Sequence, residues 1–336
     1  SIEAEADKCG IKGVGKDKSE GGDSQAPTEG GDETQDPGDY DPETHVVIST
    51  PEDLMAFNKA VNEDFEYFDD MTVVFTADID MTGYEWIPLD GNGLFGVTFE
   101  GNGHTIKNMT IAGNDEPLED AAHFYPYGFG FIQNAEYDLE FKNLNFDGVK
   151  IEAWERHVGV FVGNVYGNAW LTFENCHVSN VELNGWLDYN NQDPANGGHP
   201  IAFRVAGFIG GVFAGTMEFT DCTVKNAKMS GFHNLAGFVG YDASGNVDAD
   251  SFTNCHAENI EMTFSYCLSA SYTADQPRKF VSVFFNASDW VDNIDDFEGT
   301  DNTYQGIYFI DYTDPDTVYD PNNFRSWTYE EAHAGS

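Results

Sequence analysis

The chain has few basic residues. It carries 15 Lys and Arg against 59 Asp and Glu, which gives a formal net charge of −44 over 336 residues. Nucleic-acid binding needs Lys and Arg to displace the counterions of the phosphates, so this composition excludes a nucleic acid as partner. The same charge argues against docking on an anionic membrane surface, and it favours solubility and association with cations.

Long apolar runs and closely spaced cysteine pairs are also lacking. No apolar run reaches the about 18 residues that a membrane span needs, so no spanning segment is predicted. The five cysteines include no CxxC spacing, and they therefore leave the compartment open. The chain starts at Ser1 without a signal peptide, as a mature or trimmed chain would.

The composition divides the chain into a tail and a folded part. Residues 1–45 are rich in Gly, Pro, Asp and Glu, which predicts a flexible acidic tether, or else a disordered tail without a role. Residues 46–336 are predicted to form one domain. Within it we expect an N-terminal cap and first strands at 46–100, coils at 101–290, and an irregular C-terminal cap at 291–336.

A helix is predicted over residues 51–63. Thr50 suits the N-cap, Pro51 suits the first helical position, and Asp53 completes a T-x-x-D capping box. Apolar residues then recur at helical spacing, at Leu54, Phe57 and Val61.

Two short phrases alternate through the rest of the chain. The first is an aromatic phrase that mostly ends in Gly, and its marker residues are Phe131, Phe161, Phe208 and Phe238, spaced 30, 47 and 30 apart. The second has the pattern of FENCHVSNVEL, and its markers are Leu144, Cys176, Cys222 and Cys255. Two strand-like phrases per period of about 30 residues, with no helical pattern between them, are typical of a solenoid.

The repeat predicts an all-β fold, a right-handed parallel β-helix. Each period would form one coil, and coils must stack because one coil cannot bury its inner face alone. Connections between parallel strands are nearly always right-handed, which gives the hand of the helix. The helix at 51–63 would then cover the exposed edge of the first coil.

The recurring cysteines are predicted to form a structural ladder. Cys176, Cys222 and Cys255 should occupy one inward rung with Leu144 and Met109, because a buried Cys acts as a small apolar residue. Free thiols are favoured over a disulfide between rungs, since the side chains run parallel. The preceding polar residues would line a turn and bond along the stack: Asn108, Asn143, Asn175, Asp221 and Asn254. Zinc is disfavoured because His177 and His256 follow a Cys directly and should face outward.

The aromatic phrases resemble the GLUG motif. The opening segment, TPEDLMAFNKAVN followed by FTADIDMTGYEWIPL and LFGVTFEGNGHTIKNMTI, is similar to the start of GLUG-type β-helix proteins. The likeness covers roughly residues 46–262, and Gln133 departs from the pattern where a Gly is usual. It implies a secreted or surface protein of adhesin-like type, frequent in Bacteroidota, and it brings no catalytic motif.

Insertions mark where a ligand is expected. The connectors from Ile111 to Phe131, from Leu183 to Phe208 and from Met262 to Phe280, taken as the next marker, are 20, 25 and 18 residues long, whereas others are 9 or 10. Insertions at one corner of a solenoid form one face, often the binding face. The candidate ligand-binding residues in and between the insertions are Trp154, Trp186, Tyr189 and Tyr266. Aromatic rings beside Asp, Asn and Gln suit a glycan, although such rings can equally pack the loops onto the coils.

Catalysis and metal binding have weaker support. Lyases of this fold need a basic residue beside a bound cation, and hydrolases need converging carboxylates; the scattered Arg and Lys and the adjacent pairs Asp69-Asp70 and Asp295-Asp296 supply neither. No catalytic residue and no cofactor are therefore predicted. The acidic stretches 242–250 and 292–302 leave Ca²⁺ open, although neither has EF-hand spacing.

The sequence therefore predicts a non-enzymatic, adhesin-like binding protein. We expect it outside the cell or on a bacterial outer surface, tethered by its N-terminal segment, with a lipid anchor before residue 1 as one means of attachment. A glycan or an extracellular protein is the expected partner. A structural subunit of a surface filament or layer is the alternative, and a polysaccharide lyase or glycoside hydrolase is a second one.

Overall fold

The computed structural model describes eight stretches of the chain: residues 36–111, 128–153, 157–185, 204–231, 234–264, 281–287, 301–312 and 324–328. Within these residues the fold consists of strands in stacked coils, one α-helix and three short 3₁₀ turns. The 3₁₀ turns are Pro37–Asp39, Gly91–Gly93 and Ala249–Ser251.

A complete coil passes through four parallel sheets, numbered here in the order in which the chain meets them from Gly128 onward. In the described residues, sheet 1 comprises Gly128–Phe129, His157–Gly159, Arg204–Ala206, Leu235–Ala236 and Val281–Ser282. Sheet 2 comprises Leu89–Asp90, Ile132–Ala135, Val162–Val165, Ile209–Val212, Val239–Asp242 and Phe285–Ala287. Strands of successive coils pair in parallel in both sheets.

Sheets 3 and 4 complete the coil. Sheet 3 comprises His45–Ile48, Thr72–Phe75, Val97–Glu100, Leu139–Lys142, Trp170–Glu174, Thr216–Thr220 and Phe252–Thr253. Sheet 4 comprises Ile79–Asp80, Thr105–Lys107, Thr110–Ile111, Asn145–Asp147, Lys150–Ala153, His177–Gly185, Thr223–Gly231, His256–Phe264, Thr303–Tyr312 and Phe324–Thr328. A small parallel pair, Phe68–Asp69 with Leu94–Phe95, lies outside them. The all-β parallel β-helix predicted from the repeat is confirmed.

The α-helix, α1, spans Pro51–Asn62, as the capping signals predict. The Thr50 hydroxyl accepts a hydrogen bond from the Asp53 amide, and the Asp53 carboxylate accepts from the Thr50 amide. The buried face of α1 joins the core through Leu54, Phe57 and Val61. Because α1 packs against His45–Ile48 and Leu89–Asp90, the first strands of sheets 3 and 2, it covers the N-terminal end of the stack.

Two columns of stacked aromatic rings fill the core. In sheet 3 the column is Phe99, Phe141, Phe173, Phe219 and Phe252, with neighbouring centroids 4.8–5.1 Å apart and planes within 8°. The opposing column consists of the marker residues of the aromatic phrase, and Phe173 meets Phe208 edge to face at 5.4 Å. Such a pair stabilises the fold by about 0.5–1.5 kcal/mol beyond the contribution of the area that it buries.

One residue of the opposing column differs from the predicted marker. Phe284, not Phe280, stacks on Phe238, at 5.5 Å. The prediction took Phe280 as the next marker, whereas the register pairs Leu235 with Val281 and so places the ring four positions further on. The last insertion is therefore longer than predicted.

The glycine that ends the aromatic phrase permits a close backbone approach. Sheet 2 folds back beside sheet 1 of the preceding coil, so a Cβ on Gly210 would lie 2.6 Å from the Val158 amide nitrogen and 2.7 Å from the Gly163 carbonyl oxygen. Gln133 takes this position in the first of these coils. Among the described residues Gly128–Phe129 is the first strand of sheet 1, so no earlier strand lies where the Gln133 side chain stands.

The cysteine rung is confirmed for Leu144, Cys176, Cys222 and Cys255, since the residues that follow them pair in register. The three cysteines are buried free thiols. The assignment of Met109 to this rung is wrong. Lys107 pairs with Asp147, so Met109 aligns instead with Val149, five positions beyond Leu144 along sheet 4.

A second asparagine column explains that shift. Asn108, Asn180, Asn226 and Asn259 occupy one position of sheet 4 with φ between 53° and 57°. Two of the amides donate to the residue below in the column, Asn226 Nδ2 to Asn180 Oδ1 at 3.2 Å and Asn259 Nδ2 to Asn226 Oδ1 at 2.8 Å. Asn108 and Asn180 donate instead to the carboxylates of Asp80 and Asp147. Asn108 thus belongs to this column, and the turn before the cysteines keeps Asn143, Asn175, Asp221 and Asn254.

The C-terminal end is more regular than predicted. Thr303–Tyr312 lies in the region assigned to an irregular cap, yet it extends sheet 4 in parallel register with His256–Phe264. Phe324–Thr328 then pairs with it antiparallel. The parallel stacking therefore continues past residue 290.

Candidate functional site

The insertions share one corner, named here the insertion corner, where sheet 4 ends and sheet 1 begins. The last apolar residues before the connectors form one in-register column: Ile111, Ile151, Leu183, Met229 and Met262. The first residues after them, Gly128, His157 and Arg204, are also in register. The predicted convergence of the connectors on one corner is therefore confirmed both where they leave sheet 4 and where they return to sheet 1.

The four predicted ligand-binding residues lie outside the described residues. Trp154 falls in the connector before His157, Trp186 and Tyr189 fall in the one before Arg204, and Tyr266 follows Phe264. Their assignment to a ligand stays a prediction.

A shallow pocket lies on the sheet 4 side of this corner. It has a volume of about 460 Å³ and is lined by Gly83, Tyr84, Glu85, Thr110, Ile111, Lys150 and Glu152. The Tyr84 hydroxyl donates a hydrogen bond to Glu52 Oε1 at 2.6 Å. This bond lowers the pKa of the Glu52 carboxyl and raises the pKa of Tyr84, so the phenol is held as a donor to a carboxylate. Hydroxyl, carboxylate and ammonium groups thus surround one opening.

On the sheet 1 side, aromatic rings hold the arginine. The Arg204 guanidinium carbon lies 5.1 Å from the Phe213 ring centroid and 4.6 Å from that of Tyr241. The buried ring of His157, one coil below, lies 3.4 Å from Arg204 Nη1 and meets Phe213 edge to face at 5.2 Å. Cation–π contacts of this type fix the guanidinium plane. We name His157, Asn164, Arg204, Phe213 and Tyr241 the Arg204 cluster.

Asn164 adds a buried amide to the cluster. It aligns with Gly211 in sheet 2, and a Cβ on Gly211 would approach both His157 Nδ1 and Arg204 Cδ. The Asn164 side chain is fully buried, and within the described part of the chain neither its oxygen nor its nitrogen has a hydrogen-bond partner. A buried amide without partners is costly, so its position calls for a reason other than packing.

Composition alone did not single out this cluster, although a signal exists. His157 and Arg204 stand four residues before Phe161 and Phe208, while Asn164 and Tyr241 stand three residues after Phe161 and Phe238. Polar and aromatic residues at fixed offsets from the repeat marker indicate a surface shared between coils. The sequence interpretation looked only at the insertions and missed it.

The acidic loop 242–250 uses its carboxylates internally. The buried Asp242 accepts hydrogen bonds from the amides of Ser244 and Val247, and Asp248 accepts from the Ser251 amide. Within the described stretches no group of three or more His, Cys, Asp or Glu side chains has a metal-binding arrangement. Most of the second acidic stretch, 292–300, lies outside the described residues.

Two thiols of the cysteine ladder, Cys222 and Cys255, are held protonated by their surroundings. Burial raises the pKa of the Cys222 thiol, and the hydrogen bond to Cys222 together with burial raises that of Cys255. A raised pKa keeps a thiol protonated and unreactive. The adjacent His177 forms a hydrogen bond through Nδ1 with the Thr223 hydroxyl at 2.7 Å, and burial lowers the pKa of His177. Because Thr223 belongs to the next coil, this bond helps to hold the stack of coils together.

Comparison with known proteins leaves function open. No protein-family model matches the sequence, and no curated protein sequence matches it either. A solved structure from Bacteroides ovatus, described provisionally as an immunoglobulin A1 protease, is similar over 82% of this chain and 79% of its own, with 12% identity and a TM-score of 0.33. A likeness at this level carries no argument about activity. In the part of the chain that is described, no helix has the length and apolar character to cross a membrane.

Proposed function

We propose that this protein is a non-enzymatic, adhesin-like binding protein that acts outside the cell or on a bacterial surface. Its ligand, a glycan or an extracellular protein, would bind at the insertion corner. The GLUG-like phrases and the acidic segment 1–45, as a tether, belong to the same proposal, and a lipid group before residue 1 is one means of anchoring.

One observation carries the proposal: long connectors leave and return at a single corner, beside two sets of polar and aromatic groups. The in-register columns at Leu183 and Arg204 bracket the longest connector. The pocket at Lys150 and Glu152 lies on one side of that corner, and the Arg204 cluster lies on the other. Aromatic faces for stacking and fixed polar groups for hydroxyls are what a sugar or peptide ligand requires.

A binding screen tests the proposal. The full chain would be applied to a glycan array and a panel of extracellular proteins, and each hit would be repeated with Trp186→Ala. Trp170→Ala is the matched control, because Trp170 is 52% exposed at the start of a sheet 3 strand, away from the corner. We expect Trp186→Ala to weaken binding about tenfold, which is a typical loss at an aromatic anchor, and Trp170→Ala to leave it unchanged.

Other outcomes identify the alternatives. If deletion of residues 186–200 leaves every hit intact, the insertion corner is not the site. Concentration-dependent growth of particle size in light scattering would favour a filament or layer subunit. Unsaturated products or new reducing ends from uronate polymers would favour a polysaccharide-active enzyme.

A further inference from the structure

A second surface with unusual exposure lies at the N-terminal end, away from the insertion corner. Phe65 and Tyr67 are 72% and 74% exposed, and Tyr137 is 40% exposed. Phe95 joins them, with its ring 5.8 Å from Tyr67 and 4.2 Å from Tyr137. We name Tyr67, Phe95 and Tyr137, together with Phe65 two residues before Tyr67 in the chain, the aromatic ledge. Contiguous exposed aromatic residues on a soluble protein commonly mark an interaction surface.

The local strand pairing builds this ledge. Phe68–Asp69 pairs in parallel with Leu94–Phe95 outside the four main sheets. Phe68 points inward and meets Phe57 of α1 edge to face at 5.0 Å. Since side chains alternate along a strand, Tyr67 and Asp69 then point outward. The exposure of Tyr67 therefore follows from the burial of Phe68.

Phe65 is held exposed by its backbone. Its φ is 53°, a backbone conformation that Gly, Asn and Asp adopt but that is rare for a bulky residue such as Phe. It follows directly on the C-terminal turn of α1, where the Glu63 and Asp64 amides bond the Lys59 carbonyl. Strain of this kind persists where the surrounding structure imposes it, and it concentrates at functional surfaces.

Carboxylates are concentrated in the segment that carries Phe65 and Tyr67. Residues 59–70, KAVNEDFEYFDD, hold five acidic residues and one lysine. Lys59 is already paired with Asp64 at 2.7 Å. Within the described residues, the exposed carboxylates of Glu66, Asp69 and Asp70 form no ion pair. On a chain of net charge −44, this local excess disfavours an acidic partner and a second copy of the chain.

We propose that the aromatic ledge binds a Lys- and Arg-bearing segment of a protein partner. Ammonium and guanidinium groups stack on the faces of aromatic rings and pair with carboxylates, and this surface offers both. The ring planes are tilted by 45° between Tyr67 and Phe95, and by 37° between Phe95 and Tyr137. Separate tilted faces suit individual cationic side chains better than the flat ring of a sugar.

The test uses the full chain and a fluorescent octa-arginine peptide, with binding measured by anisotropy at 0.15 M NaCl. Tyr67→Ala/Tyr137→Ala removes ring faces, and we expect about fivefold weaker binding, since each exposed cation–π contact contributes modestly. Asp69→Asn/Asp70→Asn removes two ledge charges and should weaken binding similarly. Glu174→Gln/Glu218→Gln removes the same charge from the outer face of sheet 3, and it should have a smaller effect.

Two results would overturn the proposal. Equal affinities for the ledge pair Asp69→Asn/Asp70→Asn and the sheet 3 pair would show that octa-arginine senses only the overall charge. Loss of cellohexaose binding in Tyr67→Ala/Tyr137→Ala, with octa-arginine binding retained, would identify the ledge as a neutral-glycan surface. Circular dichroism of every variant verifies that these exposed substitutions leave the fold unchanged. Neither outcome depends on the insertion corner, so the ledge is tested separately from the function proposed for that corner.

Discussion

At the scale of single residues, the fold depends on positions that only one or two residue types fit. Gly210 lies where the sheet 2 backbone touches the Val158 amide of the coil below. Asn226 lies at φ 53° in sheet 4, a conformation that Asn and Gly tolerate best. Repetition multiplies such requirements, because every coil stacks on the one before it.

Substitution of Gly210 by Ala should destabilise the protein by about 3 kcal/mol. The added Cβ would meet backbone atoms of two strands, which cannot move independently, so the cost approaches the upper part of the usual range for overpacking. Gln133→Ala is the control, because among the described residues no sheet 1 strand of an earlier coil lies beside the equivalent position of Gln133. Urea denaturation followed by circular dichroism gives the comparison. Equal midpoints for both variants would show that the close approach does not constrain the fold.

Substitution at Asn226 should separate backbone conformation from hydrogen bonding. Gly148 and Gly306 occupy the same column with positive φ, so Asn226→Gly should cost only the side-chain bonds to Asn180 and Asn259. Asn226→Ala loses the same bonds. It should be about 1–2 kcal/mol less stable than Asn226→Gly, because its Cβ is strained in the left-handed region. Thermal midpoints should therefore rank native, then Gly, then Ala. If Ala proved as stable as Gly, the column would be held by packing alone.

At the scale of elements, the sequence was most informative where one signal repeats once per coil. The marker rings Phe131, Phe161, Phe208 and Phe238 predicted the core column, since their spacing matches one coil. The assignment of Met109 failed because each coil carries two asparagine turns five residues apart, as at Asn175 and Asn180. An isolated phrase such as KNMTI fits either turn, and only strand register decides.

The candidate site was predicted less well for a related reason. Loop insertions are visible as changes in spacing, so their common corner could be predicted. The Arg204 cluster gathers side chains from different coils, which are 30 or more residues apart in the chain. A linear search for a compact motif does not find such a set. Phe284 was missed because a marker was extrapolated across an insertion of unknown length.

The N-cap of α1 gives a prediction for this element. Thr50→Ala removes the hydroxyl that accepts from the Asp53 amide, and we expect a loss of about 1 kcal/mol. Thr50→Asn should restore most of it, because Asn is a good N-cap residue. Urea midpoints of the two variants provide the measurement. Since α1 covers the first coil, Thr50→Ala should also increase aggregation on mild heating, and a loss of stability that Asn does not rescue would assign the effect to something other than capping.

At the scale of the whole molecule, two surfaces with different chemistry lie on one rigid stack. The insertion corner runs along the coils, whereas the aromatic ledge lies near α1 at the N-terminal end. Both are part of an acidic surface that long-range fields bias toward cationic partners. A solenoid can vary one corner without disturbing the other sheets, because each coil contacts only its neighbours.

The charge of −44 predicts how stability responds to salt. Folding brings carboxylates closer together, so self-repulsion destabilises the compact state more than the unfolded chain. Added NaCl screens this repulsion, with a Debye length that falls from about 30 Å at 0.01 M to about 10 Å at 0.1 M. We therefore expect the thermal midpoint to rise between these concentrations by roughly 2–4 °C for each kcal/mol of repulsion removed. CaCl₂ at matched ionic strength is the comparison. An equal rise with both salts indicates screening alone, an additional rise with CaCl₂ indicates a specific Ca²⁺ site in an acidic stretch, and a midpoint that falls with NaCl would contradict the electrostatic argument.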